Sequence, residues 1–384
     1  MQSSSRRFAT YFAIFMVVVM GATAILPAFS NNLTTQPIDP VQPTAAPPPT
    51  FPPPLPPSSI SFDEVYLHPS GIFTIAEPSG WEASEPPAME EGVRATLSNL
   101  DAQSVVQVDL DKPPREGEAA ALTLDDVDAR FTTSWLEDSW RRYTSWRETG
   151  QRRREDDRVI MDFVLTSNNQ TYVARQEAWT DGNLIYSVRV VTPENATDML
   201  LHVLDGVAAS LTVNEAFVDT PFDWDAYYDS SDQYIIRYPD SWTLADSAPG
   251  QPTSISGSSG ESLRLETREG AVADEDAARA VVETLRPGAE ILSVQPVTRD
   301  EEEGFAVAYS YQTVDGDQQS GLAVLLNGAD EQLHVANLRF DGAGVDLNSE
   351  EGRASYTHLA EVVDTFAIMP GLTSPETEVT QEPE

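Results

Sequence analysis

The stretches FTIAEPSGW (residues 73–81) and YIIRYPDSW (234–242) share one pattern: an aromatic residue, any residue, Ile, two residues, Pro, any residue, a small residue, Trp. Its fixed members are Phe73, Ile75, Pro78 and Trp81 in the first stretch, and Tyr234, Ile236, Pro239 and Trp242 in the second. The pattern is either a short binding motif used twice or the opening of one domain built twice. The residues downstream of each stretch decide between them.

After the first stretch come RATLSN (94–99) and SVVQVDLD (104–111), strand-like by alternation and β-branched content. Thr123 and Asp126 form a capping-box-like helix start, with Leu124, Val127, Phe131 and Trp135 on one apolar face. Strands are expected around 143–149 and over 159–166, 171–179 and 184–191. Pro193 suits the first position of a second helix, whose apolar face carries Leu200, Leu204 and Val207; SLTV closes the unit near Val213. After the second stretch the order returns. There is a strand at 262–269, a helix at 275–285 with Ala278, Val281, Val282 and Leu285 inward, and four strands between 291 and 340. A last helix, capped by Asn348 with Glu351, carries Leu359, Val362, Val363 and Phe366. VAASLTV (207–213) is matched by VVDTFAIM (362–369). The pattern therefore opens each copy of a duplicated α+β domain.

This succession of an opening hairpin with the Pro–Trp pattern, strands, a helix, an antiparallel meander and a closing helix and strand resembles the PsbP-like fold family. That family takes in PsbP, DcrB and LpqN-type extracytoplasmic domains. The resemblance covers 58–218 and 219–370. It implies two tandem antiparallel-sheet domains with flanking helices, an αβα sandwich, and a noncatalytic role in binding proteins or assemblies. It carries over no binding residue, because the shared Pro and Trp positions read as structural, and fold alone does not give function. Nothing in the chain resembles a thylakoid targeting sequence.

The 384 residues suffice for two or three domains, and 40% hydrophobic content with seven Trp supplies real cores. The net charge of −39 argues against nucleic-acid binding. The absence of Cys excludes disulfides, thiol catalysis and a Cys-borne lipid anchor. Arg6 and Arg7 precede an uncharged apolar run over 8–29, longer than a signal-peptide core and suited to a membrane span. The positive-inside rule then places the body outside the cytoplasm. The rival is cleavage near Ser30, with secretion. Residues 31–57 are a linker whose later part, 37–57, holds eleven of the 28 prolines. It reads as an extended stalk of roughly 60 Å rather than a PxxP ligand. Residues 371–384 read as a disordered acidic tail. The stalk, the acidic bias and the lack of Cys point to a bacterial envelope. The sequons at Asn32, Asn169 and Asn195 matter only in a glycosylating host.

Chemistry-bearing residues are few. Arg141, Arg142, Arg147, Arg152, Arg153, Arg154 and Arg158 crowd one segment near Trp135, Trp140 and Trp146. They are the candidate partner-binding residues, for a phospholipid surface, an anionic polymer or an acidic protein. The plainer reading is a solvated hairpin whose Arg pair with Glu148, Glu155, Asp156 and Asp157 or with the second domain. Asp219, Asp223, Asp225, Asp229 and Asp232 lack EF-hand spacing and read as linker and turn residues rather than a calcium site. His68, His202, His334 and His358 show no metal-ligand spacing. SISGSSGES (254–262) departs from the GxSxG spacing and reads as a hairpin tip. No catalytic residue, cofactor or metal is expected. The expected role is noncatalytic binding or scaffolding towards another envelope component, with an envelope-polymer hydrolase or a small-ligand-binding protein as alternatives.

Overall fold

The computed structural model describes residues 51–84, 89, 92–114, 121–299 and 301–369. The chain divides into two compact units between Pro47 and Pro48, and the described residues all belong to the second. The apolar run 8–29, Asn32, the stalk before residue 51 and the acidic tail lie outside the described residues. Among those described, no helix is long and apolar enough to cross a membrane.

The first half runs β1 (Glu64–Leu67), β2 (Phe73–Glu77), β3 (Glu82–Ala83), β4 (Gly92–Asn99), β5 (Ser104–Asp111), α1 (Leu124–Arg130), α2 (Thr133–Trp140), β6 (Ser145–Glu148), β7 (Arg153–Glu155), β8 (Arg158–Ser167), β9 (Gln170–Thr180), β10 (Ile185–Pro193), α3 (Thr197–Ser210) and β11 (Thr212–Val213). The second runs β12 (Asp225–Asp229), β13 (Tyr234–Tyr238), β14 (Thr243–Leu244), β15 (Thr253–Ser256), β16 (Ser262–Glu269), α4 (Glu275–Leu285), β17 (Glu290–Arg299), β18 (Glu302–Gln312), β19 (Gln318–Asn327), β20 (Gln332–Asp341), α5 (Glu350–Ser355), α6 (Thr357–Asp364) and β21 (Ala367–Ile368). The strands pair antiparallel throughout the described residues, as an α+β chain of hairpins and meanders requires. The large sheets are ordered β3-β4-β5-β10-β9-β8-β6, with β7 beside β8, and β14-β15-β16-β20-β19-β18-β17. The small sheets are β1-β2-β11 and β12-β13-β21. The strand order of the first half thus recurs in the second. The Pro–Trp pattern makes the same turn in both: Trp81 N–H donates to Pro78 O and Trp242 N–H to Pro239 O, and both indoles are buried.

Each large sheet has two covered faces. In the first, Val106, Val108, Tyr186, Val188 and Val190 pack towards α3, while Met161, Phe163, Ile185 and Val191 pack with Val127, Phe131 and Trp140 of the α1–α2 segment. In the second, Leu265, Val324 and Leu338 face the closing α6, and Val307, Leu325 and Val335 face α4. Period-two alternation sends successive side chains to opposite faces, so an almost wholly buried strand such as β10 serves two cores.

Several local expectations need correction. The helix expected from Thr123 through Trp135 is two helices. Thr123 and Asp126 do form the capping box, but α1 ends at Arg130, and Thr132 opens α2 by accepting from Trp135 N–H. Pro193 ends β10, paired with Tyr172, rather than starting α3, whose N-cap is Ala196. A terminal strand position suits a residue without an N–H as well as a first helical turn does. The final helix is capped by Ser349, not Asn348, and breaks at Tyr356 into α5 and α6. The Asn348 amide is spent across the fold, donating to Ser293 Oγ and Ala306 O. Segment 254–262 is a hairpin whose ends already belong to β15 and β16. The end of the Pro-rich segment lies on the body: Phe51 meets Tyr172 edge-on at 5.1 Å.

The halves share a core. Phe217 and Val218 of the connector, with Ile235 of β13 and Ala367 of β21, pack into the first half's main cluster. Arg237, fully buried, fixes the connector. Its Nη1 donates to Phe217 O at 3.2 Å and to Thr220 Oγ1, and its Nη2 donates to Pro221 O at 2.6 Å and Trp224 O at 3.3 Å. Burial pulls this guanidinium down to about 10, against the pull of Asp223 and Asp225. On the other side of the seam, Ala226 N–H donates to Pro69 O at 2.7 Å. Gly71, at φ +74°, comes so near that a Cβ there would stand 2.8 Å from Ala226 Cβ. His68 is buried beside this seam, accepting at Nδ1 from Ser70 N–H at 3.1 Å, with Nε2 3.3 Å from Arg94 O. Burial, with Arg237 adding to it, lowers its pKa from 6.5 to about 4.

Two outcomes are expected. Arg237→Leu strands several connector carbonyls and lowers unfolding stability by on the order of 3 kcal/mol, measured by urea denaturation; an unchanged midpoint would refute the clamp. For His68 the unfolded chain takes the proton first, since its value of 6.5 exceeds the folded value of about 4. The stability it contributes is therefore complete above pH 6.5 and is lost as pH falls towards 4. The loss is on the order of 3 kcal/mol, and His68→Gln should flatten the pH dependence across that window. Parallel curves for the two proteins would contradict it.

Candidate functional site

The arginine-rich segment separates into two groups in space. The first belongs to the hairpin β7–β8, whose turn residues Asp156 and Asp157 take φ of 48° and 58°. Here Arg152 serves the fold. Its Nη1 donates to Asp128 O and Oδ1 at 3.1 and 2.6 Å, Nη2 to Phe131 O at 2.7 Å, and Nε to Glu148 at 2.9 Å. A cation on the last carbonyls of α1 satisfies groups that no further helical turn can reach, which is where α1 stops. Arg153 pairs with Glu155 and Asp162, Arg154 with Asp125 and Asp128, and Arg158 with Glu177, its guanidinium 4.3 Å over the Trp179 ring. Burial pushes the Asp128 carboxyl up, but bonds from Arg152 and Arg154 outweigh it and hold the group below its ordinary value. The acids that neutralise this group are mostly Asp125, Asp128, Asp162 and Glu177, not the turn residues Asp156 and Asp157. Arg147 stands exposed on β6.

The second group, Arg141 and Arg142, comes directly after α2 and reaches the rim of a cavity of about 700 Å³. Its floor is the polar part of the face that elsewhere packs against α1 and α2. The alternation that turns Val106, Val108 and Val190 towards α3 turns Gln107, Asp109 and Arg189 the other way. Cross-strand register sets these in rows: Gln176, Arg189, Gln107 and Thr96 in one, Ser187, Asp109 and Arg94 in the next. Arg94 Nε donates to Asp109 at 2.5 Å and Gln107 Nε2 donates to its other oxygen at 2.8 Å. Arg189 is 3% exposed, lies 4.4 Å from the Trp140 ring and 5.1 Å from that of Trp135, and donates from Nε to Gln176 Oε1 at 2.8 Å. Burial pulls its pKa down to about 10, with Arg94 and Arg142 adding to the effect and Asp109 opposing it. Arg189 Nη2, Gln176 Nε2 and Trp140 Nε1 are buried donors without a hydrogen-bond partner among the described residues. Asp138 is the one acid among the described residues lining the cavity.

Sequence reasoning misses Arg94 and Arg189, because each sits alone in a strand. The available signal is a charged residue at an inward-alternating position, Arg189 inside an otherwise apolar run. The repeat residues Phe73, Ile75, Trp81, Tyr234, Ile236 and Trp242 are core members. Asp229 is a turn residue: its carboxylate accepts from the N–H groups of Ser231, Asp232 and Gly250 and from Tyr227 Oη. Asp219 pairs with Lys112 at the surface. His202 bonds Ile60 O, His334 is buried against Thr267, and His358 is exposed. Among the described residues no group of three or more His, Asp or Glu could hold a metal ion.

No protein-family model and no curated protein matches the chain. Solved structures to which it is similar include cyanobacterial PsbP from Synechocystis sp. PCC 6803, at 15% identity over 38% of this chain and 92% of that one, with a TM-score of 0.29. A Bacteroides thetaiotaomicron protein matches at 13% identity over 37% of this chain and 47% of that one, with a TM-score of 0.25. The type VI secretion immunity protein TplEi of Pseudomonas aeruginosa, solved with an "L" peptide, matches at 10% identity over 76% of this chain and 99% of that one, with a TM-score of 0.22.

The division of the arginines has a measurable consequence. Arg152→Ala removes bonds to two helix-end carbonyls and two carboxylates and is expected to cost about 1–3 kcal/mol in urea denaturation. Arg147→Ala, on an exposed position, is expected to stay within about 0.5 kcal/mol of the parent protein. Equal effects would show that Arg152 is not committed to the fold in this way.

Proposed function

We propose that this chain is a membrane-anchored extracytoplasmic protein built from two PsbP-like copies. In this reading it binds another envelope component noncatalytically, through an anionic group of that component received in the arginine-lined cavity of the first copy. The recurring strand order and the shared Pro–Trp turn support the tandem reading. The apolar run after Arg6 and Arg7 supports the anchor, with release after cleavage near Ser30 as the alternative. The observation that carries the functional reading is the cavity itself. In a chain of net charge −39, four guanidinium groups meet at one opening, and one of them is buried with an unused donor. A buried polar group normally finds a partner, and Arg189, which lines this cavity, has one oxygen for its whole guanidinium group among the described residues. Of the other arginines of the cluster, Arg152, Arg153, Arg154 and Arg158 are neutralised within the fold and would add only a weak local field.

The same cavity favours a second reading, in which the anion is carried by a small soluble ligand rather than by a macromolecule. Crosslinking of the full-length protein in its native membrane, with affinity capture and mass spectrometry of the products, separates the two. We expect a reproducible envelope partner that is lost when Arg141 and Arg142 are both changed to Glu. It should be retained in Arg279→Glu, a charge reversal on α4 of the second half. Capture unaffected by the double reversal would sink the reading.

A further inference from the structure

We infer that the group received by the cavity is a phosphate-class oxyanion; this rests on the reading of the cavity as an anion site and names its chemistry. The floor and rim supply charge from different directions. Arg94 comes from β4, Arg189 from β10, and Arg141 and Arg142 from the end of α2. Guanidinium groups are planar forks, and one fork suffices for a carboxylate. Several forks arriving from a sheet and from a helix end match a group with oxygens on several sides and more than one negative charge.

The charge balance points the same way. The acids at hand are Asp109, Asp138 and Asp111, the last shared with Arg130, against four guanidinium groups. Asp109 is already committed at both oxygens, to Arg94 and Gln107. Arg189 is therefore left with two indole rings and one amide oxygen as its partners. Its Nη2 has no hydrogen-bond partner among the described residues. The arginines that serve the fold are better provided: Arg152 and Arg158 have carboxylates, and Arg237 has three carbonyls and a hydroxyl, against the single amide oxygen of Arg189.

The second half shows that the fold does not require such a cavity. On the corresponding face of its large sheet, the Tyr309 ring lies over Gly321, where a Cβ would come within 2.3 Å of Cζ. The Tyr309 hydroxyl donates to Asn337 Oδ1 at 2.6 Å, and the Tyr311 ring stacks alongside at 6.0 Å. The same surface carries tyrosines beside paired charges in one copy, Arg264 and Arg268 both bound to the buried Glu266, and is left as an arginine-floored cavity in the other.

The test uses the full-length protein in a neutral detergent. Its melting temperature is measured against inorganic phosphate and, separately, acetate, with ionic strength held constant by chloride. Phosphate should raise the melting temperature in proportion to the logarithm of its concentration, as binding to the folded state alone predicts, and acetate should not. Arg189→Gln should abolish the rise. If that buried variant fails to fold, the exposed pair Arg141→Gln and Arg142→Gln should weaken phosphate at least about tenfold. Cosedimentation with phosphatidylglycerol vesicles, competed by free phosphate, would identify a lipid headgroup as the source. A phosphate response without vesicle binding would identify a soluble phosphate; either outcome supports the class. No phosphate response, an equal response to acetate, or a response unchanged in the Arg141 and Arg142 pair overturns it. If the phosphate test fails while membrane capture still depends on these arginines, the partner-binding reading stands and its anion is of another kind.

Discussion

A guanidinium group without water must be surrounded by acceptors, and at Arg237 that requirement organises the molecule. The residue occupies the place in the second Pro–Trp stretch that Ala76 occupies in the first. The backbone role is the same in both: Ala76 N–H donates to Ser210 Oγ at 2.9 Å and Arg237 N–H to Thr365 Oγ1 at 2.8 Å, each at the end of the closing helix. The side chain is what differs. A second copy has a connector in front of it, and Arg237 gathers the carbonyls of Phe217, Pro221 and Trp224 from that connector. Burying such a group is costly unless its donors are used, so the connector is held to one path. That path carries Phe217 into the first half's core and brings β12 against the turn at Gly71. Two halves of like strand order thereby become one packed body.

The two large sheets show how repeated topology can serve different ends. In both, one face closes against the last helices of its half and is apolar. The opposite face has more freedom, because a short helical segment covers only part of it. The second half covers the remainder with Tyr309 and Tyr311 and with Arg264 and Arg268 paired to the buried Glu266. The first half leaves it polar, with Gln107, Asp109, Gln176 and Arg189 buried in neighbouring register positions. A polar patch inside a sheet face weakens the core there, which is why it reads as a site rather than as packing.

Much of the architecture is legible in the chain because its signals are local. Alternation in 104–111 and 184–191, the capping box at Thr123 and the apolar spacing of 275–285 each reflect contacts within a few residues. The boundaries that differ from the sequence expectation depend on distant partners. The α1–α2 break is stabilised by Arg152, which lies 24 residues from Asp128. Asn348 leaves its cap for a carbonyl 42 residues away. Pro193 fits two local roles equally well, and only its pairing with Tyr172 chose the strand.

The sequence by itself determined the recurring Pro–Trp pattern, the α+β class and the segment where cations gather, since each is written as a pattern of residue types along one dimension. Only the tertiary structure decided which cations are spent and which are free. Coulomb energy and hydrogen bonding fall off with distance in space, not along the chain. Arg152, Arg153, Arg154 and Arg158 meet their acids within the fold. Arg141 and Arg142 meet instead Arg94 and Arg189, two residues that the sequence shows singly in separate strands and that antiparallel pairing through β5 brings to one floor.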